Sequence, residues 1–312
     1  MKFFLAPMQG LTGYTVRNAF HHHFDYIDKY YTPFIPAAKR MNAKIKRDID
    51  PVNNDGITLI PQAMSIVADE VIDLHRQLVP YGYDEINVNL GCPSGTVVSK
   101  KRGSGILAYP DMLDSFLDEL YTKADFPVSI KTRVGFNDDE LWPRLIEIYS
   151  KYPISELTVH PRVQKDFYKN MPRMDDFALA MQKINPDKTT LCYNGDITDT
   201  NSFNTLTDCF PDIDEIMIGR GLFANPALIA ELKGISMDKA ELRERLKNWH
   251  DEILSGYLSI FSGEKDAMFR MKEIWAYMHE LFSDSEKLWK KIKKCQTLND
   301  YKSIVRMAFD AF

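Results

Sequence analysis

Eight short apolar runs recur along the first two thirds of the chain, separated by stretches whose apolar residues fall at helical spacing. The runs are Lys2 to Ala6, Asp25 to Thr32, Thr58 to Gln62, Glu85 to Asn89, Val128 to Lys131, Glu156 to His160, Thr190 to Tyr193 and Glu215 to Ile218. Each has strand length, and stretches such as Ala68 to Leu78 and Asp111 to Leu120 between them predict amphipathic helices. Strands that alternate with helices pair in parallel through crossover connections. Eight such repeats within about 235 residues predict a closed (β/α)8 TIM barrel, with a doubly wound open sheet as runner-up. After Ser236 the strand pattern stops. Asp238 with Glu241 resembles a capping box, and Leu242, Leu246, Trp249, Ile253 and Tyr257 then recur at spacings of three and four. Further helices are expected over 264–282, 285–294 and 300–311. The predicted organisation is α/β, with a catalytic TIM barrel over 1–235 followed by a helical bundle over 236–312.

A barrel gathers its chemistry at the carboxyl ends of its strands. Those ends read Pro7-Met8-Gln9-Gly10, Thr32-Pro33, Gln62-Ala63, Asn89-Leu90-Gly91-Cys92, Lys131-Thr132-Arg133, His160-Pro161-Arg162, Asn194-Gly195-Asp196 and Gly219-Arg220-Gly221. Any one of these polar residues has an ordinary explanation as a loop hydrogen bonder or a solvated charge. Their recurrence at nearly every strand end points to one site. Cys92 stands out because Gly91 and Pro93 stop the strand abruptly and set the thiol in a tight turn. The last two loops, Asn194 to Ile197 and Gly219 to Gly221, occupy the usual place of a phosphate cradle, which implies a phosphorylated ligand.

Composition narrows the partners. With 45% apolar and 27% charged residues the chain is an ordinary globular one, and no apolar run is long enough to cross a bilayer. The N-terminus has too short an apolar core for a signal peptide, so a cytoplasmic location is expected. Cys92, Cys192, Cys209 and Cys295 show no CxxC spacing, which speaks against disulfides and zinc. His21-His22-His23 is set aside as a metal site, since consecutive helical side chains diverge by about 100°. A net charge of -5 argues against indiscriminate nucleic-acid binding. Local basic clusters remain: Lys287 to Lys294 with Trp289 inside it, and Lys39, Arg40, Lys44, Lys46 and Arg47. The first reads equally well as an RNA-backbone contact or as a solvated helix face with Trp289 packed inward.

With these residues assembled, the chain resembles the tRNA-dihydrouridine synthases. Leu5-Ala6-Pro7-Met8-Gln9-Gly10-Leu11-Thr12 with Arg17, and then Ile86-Asn87-Val88-Asn89-Leu90-Gly91-Cys92-Pro93, are similar to the two signatures of that family in their usual order. Lys131 with Arg133, His160-Pro161-Arg162, Asn194-Gly195-Asp196-Ile197 and Gly219-Arg220-Gly221 continue the likeness across the barrel. Gly13 stands where the family usually has Asp, and Pro161 replaces a usual small residue. The resemblance implies FMN as cofactor, NADPH (or NADH) as reductant and tRNA as partner, acting without metal or membrane and as a monomer. It further implies that Pro7, Met8 and Gln9 line the flavin and that Gln62 and Lys131 hold its polar edge. His160 would lie near ring and substrate, while Asn194, Gly195, Asp196, Gly219 and Arg220 hold ribityl and phosphate. Asn89, Arg162 and Lys169 would meet the RNA.

The residue types suit that chemistry. Hydride delivered to uracil C6 leaves negative charge over C5 and O4, and a thiol, mostly protonated at neutral pH, can then protonate C5. Cys92 is expected to be that acid, with Lys131 stabilising the reduced ring. The rivals are a flavoenzyme acting on a free pyrimidine, a Schiff-base lyase using Lys131, and a non-catalytic tRNA-binding protein.

Overall fold

The computed structural model describes residues 1–37 and 40–312; of the basic cluster after the second strand, Lys39 lies outside them. Ten strand segments form one all-parallel sheet: β1 Lys2–Leu5, β2 Lys29–Tyr31, β3 Ile35–Pro36, β4 Leu59–Ile60, β5 Gln62–Met64, β6 Ile86–Leu90, β7 Val128–Gly135, β8 Glu156–Val163, β9 Thr190–Tyr193 and β10 Glu215–Ile218. The sheet closes on itself. β4 and β5 are two halves of one strand interrupted at Pro61, which has no N–H to give a ladder. The first half pairs with β2 through Tyr30–Leu59 and Tyr31–Ile60, and the second with β6 through Gln62–Asn87. β1 pairs with both β2 and β10, so eight staves surround one interior. The expected barrel is present. The continuous strand expected over Thr58 to Gln62 is instead split at the proline, and β7 and β8 run on past Lys131 and His160 to Gly135 and Val163.

That extension has a physical cause in the barrel interior. In β6 to β8 the polar residues alternate inward, in register, as Asn87 beside Ser129, Asn89 beside Lys131, and Arg133 beside His160. Their apolar neighbours Val88, Ile130, Val134, Val159 and Val163 point outward and pack under the helices. The other half of the interior is apolar, built from Phe4, Ala6, Tyr31, Ile60, Cys192 and Met217. At its base the buried Glu156 accepts from Tyr31 (2.7 Å), Thr158 (2.7 Å) and the Lys29 ammonium (2.7 Å).

The outer helices follow ordinary end chemistry. The helix Ala68–Leu78 carries Asp69 and Glu70 in its first turn and Arg76 in its last, complementing the helix dipole. The helix Pro110–Lys123 starts on a proline, whose missing N–H costs nothing at that position.

Beyond the short helix Leu228–Leu232 the described residues contain no strand; four longer helices follow, Lys239–Ile260, Glu264–Met278, Ser285–Lys294 and Leu298–Asp310. Asp238 caps the first through the Glu241 amide (2.9 Å), but the expected capping box is half made, because the Glu241 carboxylate turns to Arg245 instead. His250, Trp275 and Tyr301 form its polar-aromatic centre, with the tyrosine hydroxyl 2.6 Å from His250 and 2.8 Å from Trp275. This bundle joins the barrel where the chain's first and last βα units meet. Trp249 packs on Phe20 at 5.1 Å between centroids, and Tyr277 on Phe223 at 6.2 Å. His22 and His23 both hydrogen-bond Glu252, each at 2.8 Å, and so tie the first helix to the bundle. In the basic run, Trp289 stacks on His279 while Lys290, Lys291, Lys293 and Lys294 stay exposed. No described helix is long and apolar enough to cross a membrane.

Candidate active site

At the carboxyl ends of the strands lies a cavity of about 300 Å³ lined by Pro7, Met8, Gln9, Gln62, Asn89, Cys92, Lys131, His160 and Arg220, all expected there. A smaller one of about 70 Å³ adjoins it, sharing Pro7, Met8, Lys131, His160 and Arg220 and adding Asn194, Gly195, Asp196 and Gly219. The two cavities thus bring together nearly every candidate drawn from the strand ends. Lys169 is exposed on the loop after β8 and lines neither.

The turn that carries Cys92 is held from three sides. Asn89 accepts from the amides of Gly91 (3.1 Å) and Cys92 (2.9 Å) through its side-chain oxygen, and donates to Gln62 (2.7 Å). Gln62 in turn donates to Asn87 (2.8 Å), and Asn87 to Ser129 (3.0 Å), a polar chain crossing three staves of the interior. Arg133, 2% exposed, donates to the carbonyls of Gly91 (3.0 Å), Val163 (2.9 Å) and Phe167 (2.9 Å) and so clamps the turn to the loop after β8. Beneath it Ser104 donates to the Cys92 carbonyl (2.9 Å); Gly103 sits there at φ +56°, where a Cβ would come within 2.7 Å of that oxygen. The thiol itself is half-buried, and burial raises its pKa above the ordinary cysteine value against the opposing pull of the Ser94 amide, Arg133 and Lys131. It is therefore held as S–H.

Lys131 faces the cavity with no hydrogen-bond or ion-pair partner among the described residues; burial first, then Arg133, lowers its pKa to about 7. His160 is pushed well below the usual histidine value by burial and by Arg133, Lys131, Arg162 and Arg220 around it. It is a neutral ring, and because Arg162 donates toward its Nε2 (3.2 Å), the proton belongs on Nδ1. Arg162, expected to meet the RNA, is 1% exposed, and its guanidinium is taken up by Asp196, by the Asn170 carbonyl (2.6 Å) and by His160. Asn89, expected at the substrate, lines the cavity but has both ends of its amide engaged, so its first task is to hold the turn. Asp196 is neutralised on two sides, by Arg162 and by Arg220 (2.5 Å), which hold its carboxyl below the usual range despite its burial.

Three lining aromatics escaped the strand-end reading: Phe34 comes from the loop after β2, Tyr168 is on the loop after β8, and Tyr277 comes from the bundle; Arg133, read there together with Lys131, lines the cavity too. Tyr168 stacks on His160 at 6.1 Å, with the Arg220 guanidinium 4.6 Å and that of Arg133 5.6 Å from its ring centre. An aromatic six residues after Arg162 was a usable signal for Tyr168. Tyr277 carried none, because helical spacing does not say which helix faces the barrel mouth.

Chemically, the larger cavity offers an S–H, an unpartnered lysine and a neutral imidazole. The smaller one offers Arg220 and the backbone at Gly219, where an added Cβ would lie 3.4 Å from Ala6 and 3.5 Å from Met8. That donor set suits a planar, acceptor-rich group with an anionic tail. Among the described residues no three His, Cys, Asp or Glu side chains gather to hold a metal.

The sequence matches the family model described as dihydrouridine synthase (Dus) over residues 4–311. It is 32% identical over 203 residues to a "Probable tRNA-dihydrouridine synthase" of Staphylococcus aureus (strain Mu50), a match covering 64% of this chain and 58% of that relative. It is 26% identical over 243 residues to "tRNA-dihydrouridine synthase B" of Pasteurella multocida, covering 75% and 69%. The chain thus spans well under two thirds of the first relative's length. Among solved structures, its fold is similar to the old yellow enzyme from Trypanosoma cruzi (TM-score 0.51, 8% identity, 80% of this chain and 94% of that one). It is likewise similar to a variant of NCR from Zymomonas mobilis (TM-score 0.52, 11% identity, 80% and 90%).

Proposed function

The chain belongs to the dihydrouridine synthase family, and from that premise we propose that it reduces the C5=C6 bond of uridines in tRNA, with FMN as resident redox group and NADPH as reductant. The observation that carries this reading is a single cavity lined by a protonated thiol, an unpartnered lysine and a neutral imidazole, continuous with a smaller cavity suited to a phosphate. In this reading residues 1–235 are the catalytic unit and 236–312 the tRNA-binding unit.

Pro7, Met8, Gln9, Gln62, Lys131 and His160 would line the flavin ring, and Asn194, Gly195, Asp196, Gly219 and Arg220 its ribityl and phosphate. The chemistry that bound, reduced FMN would supply is a hydride for C6 of the uracil. Cys92 carries the proton that C5 needs, because burial keeps Sγ protonated at neutral pH, and the thiolate left behind regains a proton from solvent. Lys131, near half-protonated in the free site, takes a proton fully when an anionic edge lies against it. Asn89 and Arg133 fix the Cys92 turn, and Arg162 fixes His160 and Asp196; these are positioning residues. The target uridine must leave its stack to enter the cavity, at a cost of about a few kcal/mol that contacts elsewhere on the tRNA offset.

The test is a visible spectrum of the purified protein followed by NADPH-driven turnover on unmodified tRNA transcripts, with dihydrouridine measured by mass spectrometry. Cys92→Ala is expected to keep a reducible yellow flavin and to lose dihydrouridine formation by about 10²- to 10⁴-fold. Full turnover by that variant would sink the role of Cys92. Equal rates on free uracil would assign the enzyme to free pyrimidines, and tRNA binding with no turnover would make it a binding protein. One observation favours a second reading: a lysine with a pKa of about 7 also suits Schiff-base formation. That protein would be colourless and would form a borohydride-trapped adduct with a carbonyl substrate.

A further inference from the structure

A third cavity, of about 410 Å³, lies beside the catalytic one, between the loop after β2, the helix Ala43–Ile49 and the bundle around Tyr257 and Phe261. We propose that it seats the base of a nucleotide adjoining the target uridine in the same strand, which rests on the tRNA-reducing function proposed above. Gln9 and Phe34 line both this cavity and the catalytic one, so the two adjoin. Its walls are apolar and partly aromatic, with Phe34 on the barrel side and Tyr257, Ile260 and Phe261 on the bundle side. Its rim is cationic. Lys44 and Arg47 are exposed and have no ion-pair partner among the described residues, while the acid in the lining, Asp48, is engaged by Arg17 (3.3 Å) and the Tyr14 amide (2.7 Å).

Aromatic walls beneath free cations are what a single-stranded nucleotide requires, a stacking surface for the base and positive charge for its phosphate. Extruding a uridine also strips one stacking face from its neighbour. A pocket adjoining the one that receives the uridine restores that face. The cavity is formed by barrel and bundle together, so the base within it would report the register of the whole RNA.

The experiment uses the full-length flavoprotein and unmodified tRNA transcripts, with affinity read by fluorescence anisotropy over a range of salt. Phe261→Ala is expected to weaken binding about tenfold. An abasic ribose placed on the 5′ or the 3′ side of the modified uridine should cost the unmutated protein a similar factor at one of those two positions, and add nothing in the Phe261→Ala variant. The exposed pair, changed together as Lys44→Ala with Arg47→Ala, should flatten the slope of log affinity against log salt by about 1.4, roughly 0.7 for each phosphate no longer neutralised. Flavin content serves as the check on folding. Equal abasic penalties in both proteins, or an unchanged salt slope, would overturn the proposal. So would a raised half-saturation for NADPH with tRNA affinity intact, which would give the cavity to the reductant. If the protein binds tRNA but reduces none, the proposed function falls while the same titrations still judge this cavity.

Discussion

Cys92 follows the end of β6 and Lys131 lies within the adjacent β7, and burial drives both toward their neutral forms: the ammonium down to about 7 and the thiol above its usual value. Reactive cysteines are activated by the opposite shift, so Cys92 suits proton donation and not attack. The lysine yields a measurable consequence. At pH 8 it is mostly neutral in the free site, and a bound anionic group raises its pKa, so binding takes up a proton. Anaerobic calorimetry of reduced FMN, whose ring is anionic at pH 8, binding to the flavin-free protein in buffers of different ionisation enthalpy should show uptake of close to one proton, absent in Lys131→Met. Equal heats in both buffers for the unmutated protein would exclude this role. The strand-end pattern made these residues legible, as it did His160. It could not foresee that Arg162 is buried, because its partner Asp196 arrives from another stave. Nor could it foresee that Arg133 would spend its donors on carbonyls of the Cys92 turn and of the loop after β8.

Element boundaries were legible where pattern and end chemistry agree, as for the helices Ala68–Leu78 and Ser285–Lys294, which run as expected. They failed where polar residues turn into the barrel, because an inward lysine or histidine looks, in one dimension, like the end of a strand. The packing of the helix Lys239–Ile260 along Tyr14–His23 was not legible at all. It depends on Gly256, where an added Cβ would stand 2.2 Å from Thr15 Cγ2. Gly256→Val should therefore push the bundle off the first barrel helix and lower stability by about 1–3 kcal/mol. tRNA affinity should fall further than flavin affinity, since Tyr257 and Phe261 sit on the same helix end. Urea denaturation and parallel binding titrations check both parts; an unchanged midpoint would mean the close approach is not required.

Across the whole molecule, the barrel interior is divided, with apolar staves on one side and polar ones on the other, and a buried group of charges at its base. There burial raises Glu85 and Glu215 above the usual carboxylate value. A carboxyl that titrates higher when folded binds more protons folded than unfolded between the two values. Its contribution to stability therefore grows as pH falls through that window and levels off below the unfolded value. The Lys29 ammonium, held above its usual value by Glu156 against the effect of burial, changes nothing until far more alkaline pH. Exchanging Glu85→Gln with Glu215→Gln should accordingly raise the urea midpoint more at pH 7 than at pH 5, and a gain independent of pH would contradict the assignment. By itself the sequence determined the alternation of strand and helix, the closed barrel, the helical bundle and most of the site, because hydrophobic period and strand-end chemistry are local properties. Only the tertiary structure decided which polar residues face the cavity and which are consumed in holding it, where Tyr277 and Phe34 enter, and that barrel and bundle enclose a further cavity between them. Those outcomes depend on contacts between residues far apart in the chain, and no local pattern encodes them.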